Sequence, residues 1–97
     1  MGVLNTLKLV LASDSFQETA ISALNELKAD ALDTGKCIQF QVFYDEPNLE
    51  IFVNQGWHTQ EDFEKFVQSP AFGRFRSKWT GVLAQPPQDK MYTRRVL

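Results

Sequence analysis

The sequence predicts one α+β domain over residues 1–97, in which a four-stranded antiparallel sheet carries its helices on one face. Three observations support this. Several strand-length segments have apolar side chains that alternate or run together. Other segments repeat apolar residues every three or four positions, as amphipathic helices do. The length and the composition, 43% apolar and 23% charged, are those of a single globular domain.

The first two elements are a strand and a long helix. Leu4 to Leu11 is a nearly continuous apolar run, too short for a stable helix, and it predicts a buried strand. Ser15 followed three residues later by Glu18 has the spacing of a capping box at a helix start. The helix is expected to end near Gly35, and its apolar stripe consists of Phe16, Ala20, Leu24, Leu27 and Ala31.

A hairpin is predicted next. The segment from Cys37 to Tyr44 alternates in polarity, which indicates a half-buried strand. One face of this strand is predicted to carry Ile38, Phe40, Val42 and Tyr44, and the other face Cys37, Gln39, Gln41 and Phe43. Residues 45–48, with the sequence Asp-Glu-Pro-Asn, form a turn, and Leu49 to Trp57 is the second, antiparallel strand.

A broken helix and a last strand complete the order. Thr59 is expected to cap a short helix, and Ser69 before Pro70 is expected to cap the next one. The stripes of the two segments are Phe63, Phe66 and Val67, and then Phe72, Phe75, Trp79 and Val82. After an extended connector with two prolines, Met91 to Leu97 is the final strand, so the order is the ferredoxin-like split β-α-β arrangement.

The second face of the sheet is expected to be covered by another copy of the chain. The first and third strands carry apolar residues on both faces, for example Leu9 beside Val10 and Phe52 beside Val53. Because the helices cover only one face, a homodimer is the simplest way to cover the other.

Composition excludes several classes of partner. Ten basic against 12 acidic residues give a net charge of −2, which disfavours binding to nucleic acid. No apolar run is long enough to cross a membrane, and the N-terminal residues lack the pattern of a signal peptide. The single Cys37 cannot form an internal disulfide, and no Cys/His cluster suits a metal, so a cytoplasmic protein without metal is expected.

Four segments together resemble the antibiotic biosynthesis monooxygenase family. They are residues 45–57 ending in Trp57, residues 59–63, Ser69-Pro70-Ala71-Phe72, and residues 85–87. The resemblance implies a dimeric α+β barrel with an apolar ligand cavity between sheet and helices in each subunit. It also implies cofactor-independent or quinol-type monooxygenation of an electron-rich phenol or hydroquinone.

The sequence departs from the family pattern at several polar positions. Gln55 stands where family enzymes often carry Glu, and Phe66 and Ala71 stand where many carry His. Haem-degrading relatives use an Asn on the first strand, which Asn5 matches. Their Trp and His positions are occupied here by Phe66 and Arg76. Haem is therefore not expected, and neither is another cofactor.

Two functional hypotheses follow. The first is a monooxygenase acting on a small aromatic molecule, with His58, Asn5 and Gln55 as candidate catalytic groups. Its candidate substrate-binding residues are Trp57, Phe66, Phe75, Arg76 and Trp79. The second is a non-catalytic ligand-binding or stress-associated dimer that keeps the barrel without the chemistry. For each residue the simpler alternative stays open, namely an exposed loop position for His58 and plain core packing for the aromatic side chains.

Overall fold

The computed structural model describes residues 2–93, which form a four-stranded sheet and three α-helices. The elements are β1 (Val3–Val10), α1 (Gln17–Asp33), β2 (Cys37–Asp45), β3 (Glu50–Trp57), α2 (Gln60–Val67), α3 (Pro70–Ser77) and β4 (Gln88–Thr93). The strand order is β2-β3-β1-β4, and every neighbouring pair is antiparallel. This is the predicted ferredoxin-like arrangement.

The register places one polar pair at the centre of the sheet. Asn5 on β1 lies opposite Gln55 on β3 and opposite Met91 on β4. Because side chains alternate along a strand, these residues share the helix-covered face with apolar neighbours such as Leu9 and Val53. The centre of this face is therefore polar, although the residues around it are apolar.

The helices bury the predicted apolar stripes against this face. In α1 the residues Ala20, Leu24, Leu27 and Ala31 are all at most 1% exposed. The predicted caps of the two later helices are confirmed. The Thr59 hydroxyl accepts a hydrogen bond from the Asp62 backbone N–H at 3.1 Å, and the Ser69 hydroxyl accepts one from the Phe72 N–H at 3.4 Å.

Two ion pairs connect α1 with the region of α3. Arg74 lies 3.8 Å from Asp30, and Lys78 contacts Glu26 directly. The hydrogen bond from Lys78, reinforced by its charge, lowers the pKa of the Glu26 carboxyl from its ordinary value. All four side chains are partly exposed, so these pairs orient the helices more than they stabilise them.

The predicted capping box at Ser15 is wrong. A short 3₁₀ turn, Asp14–Phe16, precedes α1, and the Ser13 hydroxyl accepts from the Ser15 backbone N–H at 3.2 Å. The residue at the N-cap of α1, Phe16, makes no side-chain hydrogen bond to the helix. Ser13 therefore takes the capping role one turn earlier, because the chain enters the helix through a tighter turn.

The alternation predicted for β2 is wrong at one end. A bulge interrupts the pairing with β3 between Cys37 and Gln39. An extra residue shifts the side-chain alternation, so Cys37 is buried while Ile38 is 49% exposed. Beyond the bulge Phe40 is buried in the core, so Ile38 and Phe40 do not share a face.

β4 begins earlier than predicted. It starts at Gln88, directly after the two prolines, whereas the sequence pattern indicated Met91. The predicted last residues, 94–97, lie outside the described part of the chain. The segment before β4 is fastened to the end of β1, since Ala12 N–H donates to Val82 C=O and Ala84 N–H donates to Val10 C=O, each at 2.8 Å.

The sheet face opposite the helices is left uncovered by residues 2–93. Phe43 and Phe52 are cross-strand partners on this face and are 52% and 38% exposed. Lys8 and Glu50, on the same face, form an ion pair at 2.7 Å. Across residues 2–93, the helices are too short or too polar to cross a bilayer.

Candidate functional site

The main candidate site is a cavity of about 530 Å³ between the sheet and the two short helices, called the helix–sheet cavity below. Its apolar lining predominates, which suits a hydrophobic ligand. The residues that line it are Asn5, Leu7, Leu9, Gln55, Phe63, Val67, Phe72, Phe75, Arg76, Trp79, Thr80, Leu83, Pro87 and Asp89.

The floor of the cavity is a chain of buried hydrogen bonds. The Trp57 indole N–H donates to Gln55 Oε1 at 2.9 Å, and Gln55 Nε2 donates to Asn5 Oδ1 at 3.3 Å. Asn5 Nδ2 donates to the backbone carbonyl of Lys90 at 3.4 Å. An indole N–H can only donate and a backbone carbonyl can only accept. The groups at the two ends of this series of hydrogen bonds therefore fix the direction in which the bonds run and the orientation of both amides.

This chain of bonds connects three neighbouring strands. Gln55 is 1% exposed and Asn5 is 3% exposed, so neither amide is free to exchange its partners for bulk water. Buried amides are stable only when they are hydrogen-bonded, and the network meets that requirement on β3, β1 and β4. The floor is therefore a rigid polar patch in an otherwise apolar wall.

The upper wall is a row of aromatic side chains on α3 and after it. The ring centroids of Phe72 and Phe75 are 5.5 Å apart, and those of Phe75 and Trp79 are 5.3 Å apart. The Arg76 guanidinium lies 5.1 Å from the Phe72 centroid, within range of a cation–π contact. Such a wall suits a flat aromatic ligand, because rings pack favourably against one another at these distances.

Trp79 contributes an unpaired donor. Its side chain is 9% exposed, and its Nε1 has no hydrogen-bond partner among the described residues. A buried donor without an acceptor costs about 1–3 kcal/mol. The indole ring is part of the cavity wall, while the Nε1 atom itself is buried and presents almost no surface to the cavity.

Two charged groups and one hydroxyl lie at the rim. Arg76, Thr80 and Asp89 line the cavity but are exposed. The sequence pattern did not indicate Asp89, because the last strand was expected to begin at Met91, two residues after it. The alternation from Met91, an inner residue of β4, would have placed Asp89 on the same face once the strand was extended.

The predicted site residues are divided between two places. Asn5, Gln55, Phe75, Arg76 and Trp79 line the helix–sheet cavity. The other two predicted aromatic residues, Trp57 and Phe66, line a separate open groove of about 560 Å³ near the end of α1. Trp57 still reaches the cavity floor through its bond to Gln55.

His58 lies apart from both. Its side chain is exposed and lines neither the cavity nor the groove, and its backbone N–H donates to the Lys36 carbonyl at 3.0 Å. Among residues 2–93, no side chain forms a hydrogen bond with the His58 ring that would orient it as an acid or base. Within residues 2–93, no group of three or more His, Cys, Asp and Glu side chains could hold a metal ion.

Comparison with known proteins agrees with this architecture. No family model matches the chain, and no curated protein matches it in sequence. Solved structures do match in fold. Rv0793 from Mycobacterium tuberculosis superposes with a TM-score of 0.89 at 9% identity, over 100% of this chain and 98% of that one.

Two further structures are named for the family that the sequence resembles. A candidate antibiotic biosynthesis monooxygenase from Nitrosomonas europaea has a TM-score of 0.86 at 11% identity, covering 94% of this chain and 88% of its own. Another antibiotic biosynthesis monooxygenase has a TM-score of 0.85 at 9% identity, covering 97% and 99%. At these identities the likeness concerns the fold, and the fold of this chain is that of antibiotic biosynthesis monooxygenase-type structures.

Proposed function

We propose that this protein belongs to the antibiotic biosynthesis monooxygenase type in function as well as in fold, and that it oxygenates a small hydrophobic aromatic molecule without a cofactor. The observation that carries the proposal is the helix–sheet cavity. It is large enough for one or two fused rings, its wall is aromatic, and its floor presents oriented amide groups of Asn5 and Gln55.

The chemistry requires only substrate and oxygen. A hydroquinone loses a proton, and its anion passes one electron to O2, which gives a semiquinone and superoxide. These combine at a ring carbon to form a peroxide, and loss of water leaves a hydroxylated quinone. One hydroquinone and one O2 thus give one hydroxyquinone and one water, and the substrate supplies all four electrons. The protein binds the ring, excludes bulk water and stabilises the anion.

A non-catalytic binding protein is the second candidate, and one observation favours it. The cavity lining contains no histidine, and its one carboxylate, that of Asp89, is exposed at the rim. A buried general base of the kind that removes a phenolic proton is therefore absent from the lining. A protein with this cavity would still bind aromatic molecules.

Oxygen uptake separates the two candidates. The purified protein is supplied with a panel of one-ring and two-ring hydroquinones, and O2 consumption is followed with product mass. We expect uptake above the uncatalysed rate and product heavier by one oxygen and lighter by two hydrogens. Phe75→Ala, which opens the aromatic wall, should reduce kcat/KM about tenfold or more, while Gln68→Leu on the exposed end of α2 serves as the matched surface control.

Binding without uptake across the whole panel would favour the second candidate. His58→Ala adds a test of the predicted catalytic histidine, because loss of activity in that variant would show that the exposed side chain acts in the reaction. Retention of activity would leave Asn5 and Gln55 as the candidate catalytic groups.

A homodimer is part of the proposal. The exposed Phe43 and Phe52 pair lies on the uncovered sheet face, and burying it against a second copy would remove apolar surface from water. Sedimentation should give twice the 11.1 kDa mass of one chain. Phe52→Asp should give the mass of a single chain, and a monomer at all concentrations in the unmodified protein would contradict the dimer.

The unpaired Cys37 favours a reducing compartment such as the cytoplasm.

A further inference from the structure

The rim of the helix–sheet cavity carries one positive and one negative charge. Of the described residues that line the cavity, two are charged, namely Arg76 on α3 and Asp89 on β4. Both side chains are exposed, so a ligand that enters the cavity can reach them from the solvent side. The rest of the lining is mainly apolar, and the two charges therefore belong to the entrance.

These two charges do not neutralise each other. Neither Arg76 nor Asp89 takes part in any of the ion pairs formed within residues 2–93, so the guanidinium and the carboxylate lie beyond ion-pair distance. One is carried by the helix that forms the upper wall and the other by the edge strand of the sheet. Two separated opposite charges at one entrance suit a ligand that carries both charges itself.

Arg76 is placed beside the aromatic wall. Its guanidinium carbon lies 5.1 Å from the ring centroid of Phe72, which also lines the cavity. A guanidinium carries five N–H donors and can give two parallel hydrogen bonds to one carboxylate. Arg76 is therefore suited to a carboxylate on a ligand whose ring lies in the cavity.

Asp89 supplies the complementary charge from the sheet. It pairs with Leu7 on β1, and both residues line the cavity. An ionised carboxylate only accepts hydrogen bonds, so its best partner on a ligand is a cation that donates them, as an ammonium group does. Thr80, exposed at the same rim, adds a hydroxyl that can donate to a carboxylate or accept from an ammonium.

We propose that the helix–sheet cavity binds an aromatic amino acid, with the ring inside the cavity, the α-carboxylate at Arg76 and the α-ammonium at Asp89. A ligand with only one of these charges meets a like charge at the rim, whereas the zwitterion finds a partner for each. The cavity, at about 530 Å³, has room for a two-ring side chain. The inference rests on the aromatic ligand class of the proposed function, and it names the charged groups that the ring carries.

Three ligands with the same ring test the proposal without turnover. L-Tryptophan carries both charges, 3-indolepropionate carries only the carboxylate, and tryptamine carries only the ammonium. Each is titrated into the isotope-labelled full chain at neutral pH, and the dissociation constant is taken from the chemical shifts of the backbone amides. We expect tryptophan to bind about threefold more tightly than either of the others, because an exposed ion pair contributes modestly. Added salt should narrow the difference.

Two variants assign the two charges. Arg76→Gln should weaken the binding of tryptophan and of 3-indolepropionate about threefold without weakening tryptamine, and Asp89→Asn should weaken tryptophan and tryptamine without weakening 3-indolepropionate. Lys28→Gln and Asp33→Asn are the matched controls. They make the same changes of charge at exposed positions of α1 that do not line the cavity, and they should leave all three affinities unchanged. Thermal unfolding of every variant confirms that it is folded under the conditions used.

No binding of tryptophan, or equal or tighter binding of either singly charged ligand, would overturn the inference. So would a tryptophan affinity that neither Arg76→Gln nor Asp89→Asn reduces. These outcomes are separate from failure of the proposed oxygenation. Charge-dependent binding of tryptophan without O2 uptake from any hydroquinone would leave the inference standing and remove the enzyme. Uptake from hydroquinones while the three indole ligands bind alike would do the reverse.

Discussion

Removing the amide of Gln55 is the sharpest test of the buried floor. In Gln55→Leu, the Trp57 N–H loses its acceptor and Asn5 Oδ1 loses its donor, although both remain buried. Each orphaned group costs about 1–3 kcal/mol, and the apolar leucine recovers part of that loss. We expect the free energy of unfolding to fall by about 2–4 kcal/mol.

Urea unfolding at a fixed protein concentration, followed by circular dichroism, measures this loss. The dependence on urea should keep the same slope, so that the midpoint alone moves. Gln68→Leu is the matched control, because its side chain is exposed and makes no hydrogen bond among the described residues, and it should stay within about 0.5 kcal/mol.

A double-mutant cycle isolates the contact itself. Trp57→Phe removes the donor, and in the double variant the two losses share one hydrogen bond, so their effects should fall short of additive by about 0.5–3 kcal/mol. If Gln55→Leu costs no more than Gln68→Leu, or if the cycle is additive, the hydrogen bonds of the floor do not hold the three strands together.

Two further predictions concern other elements. Thr59→Ala removes the hydrogen bond that caps the Asp62 N–H, so it should lower the free energy of unfolding in urea by about 1 kcal/mol. Thr19→Ala, on the exposed side of α1, is the control and should change it very little. Equal losses in the two variants would show that the cap is unimportant. Burial raises the pKa of the Cys37 thiol, so the folded state favours the protonated form. The resulting stability is complete below the ordinary thiol pKa and declines as pH rises to the raised one. Cys37→Ala should lack this decline, and the same pH profile in both proteins would contradict the assignment.

The sequence predicted those parts of the fold that depend on local pattern. Alternation identified the hairpin, and the hydroxyl caps at Thr59 and Ser69 identified two helix starts, because a cap needs only residues within one turn. Local pattern was insufficient at the bulge beside Ile38. One extra residue reverses which side chains face inward, and nothing in the composition of β2 marks the place.

The site was predicted less completely, for a related reason. The aromatic stripe of α3 led directly to Phe75 and Trp79, which line the cavity. His58 was chosen for its chemistry alone, and the backbone carries its side chain to the surface. Pairing across strands decides which polar residues meet at the floor, so the bonded amides of Asn5 and Gln55, 50 residues apart, could be proposed only singly.

The position of β4 at the edge of the sheet has a consequence for the order in which the protein opens. In the part of the chain that the structure describes, this strand pairs with β1 alone, and its side chains are exposed apart from the partly buried Met91. Its hydrogen bond to Asn5 joins residues 85 positions apart in the sequence. Edge segments with little buried surface open at the lowest free energy, so amide hydrogens of β4 should exchange with solvent before those of β3. Each such opening frees the Asn5 amide and exposes the floor, and a bound ligand that contacts the floor should slow hydrogen exchange in β4.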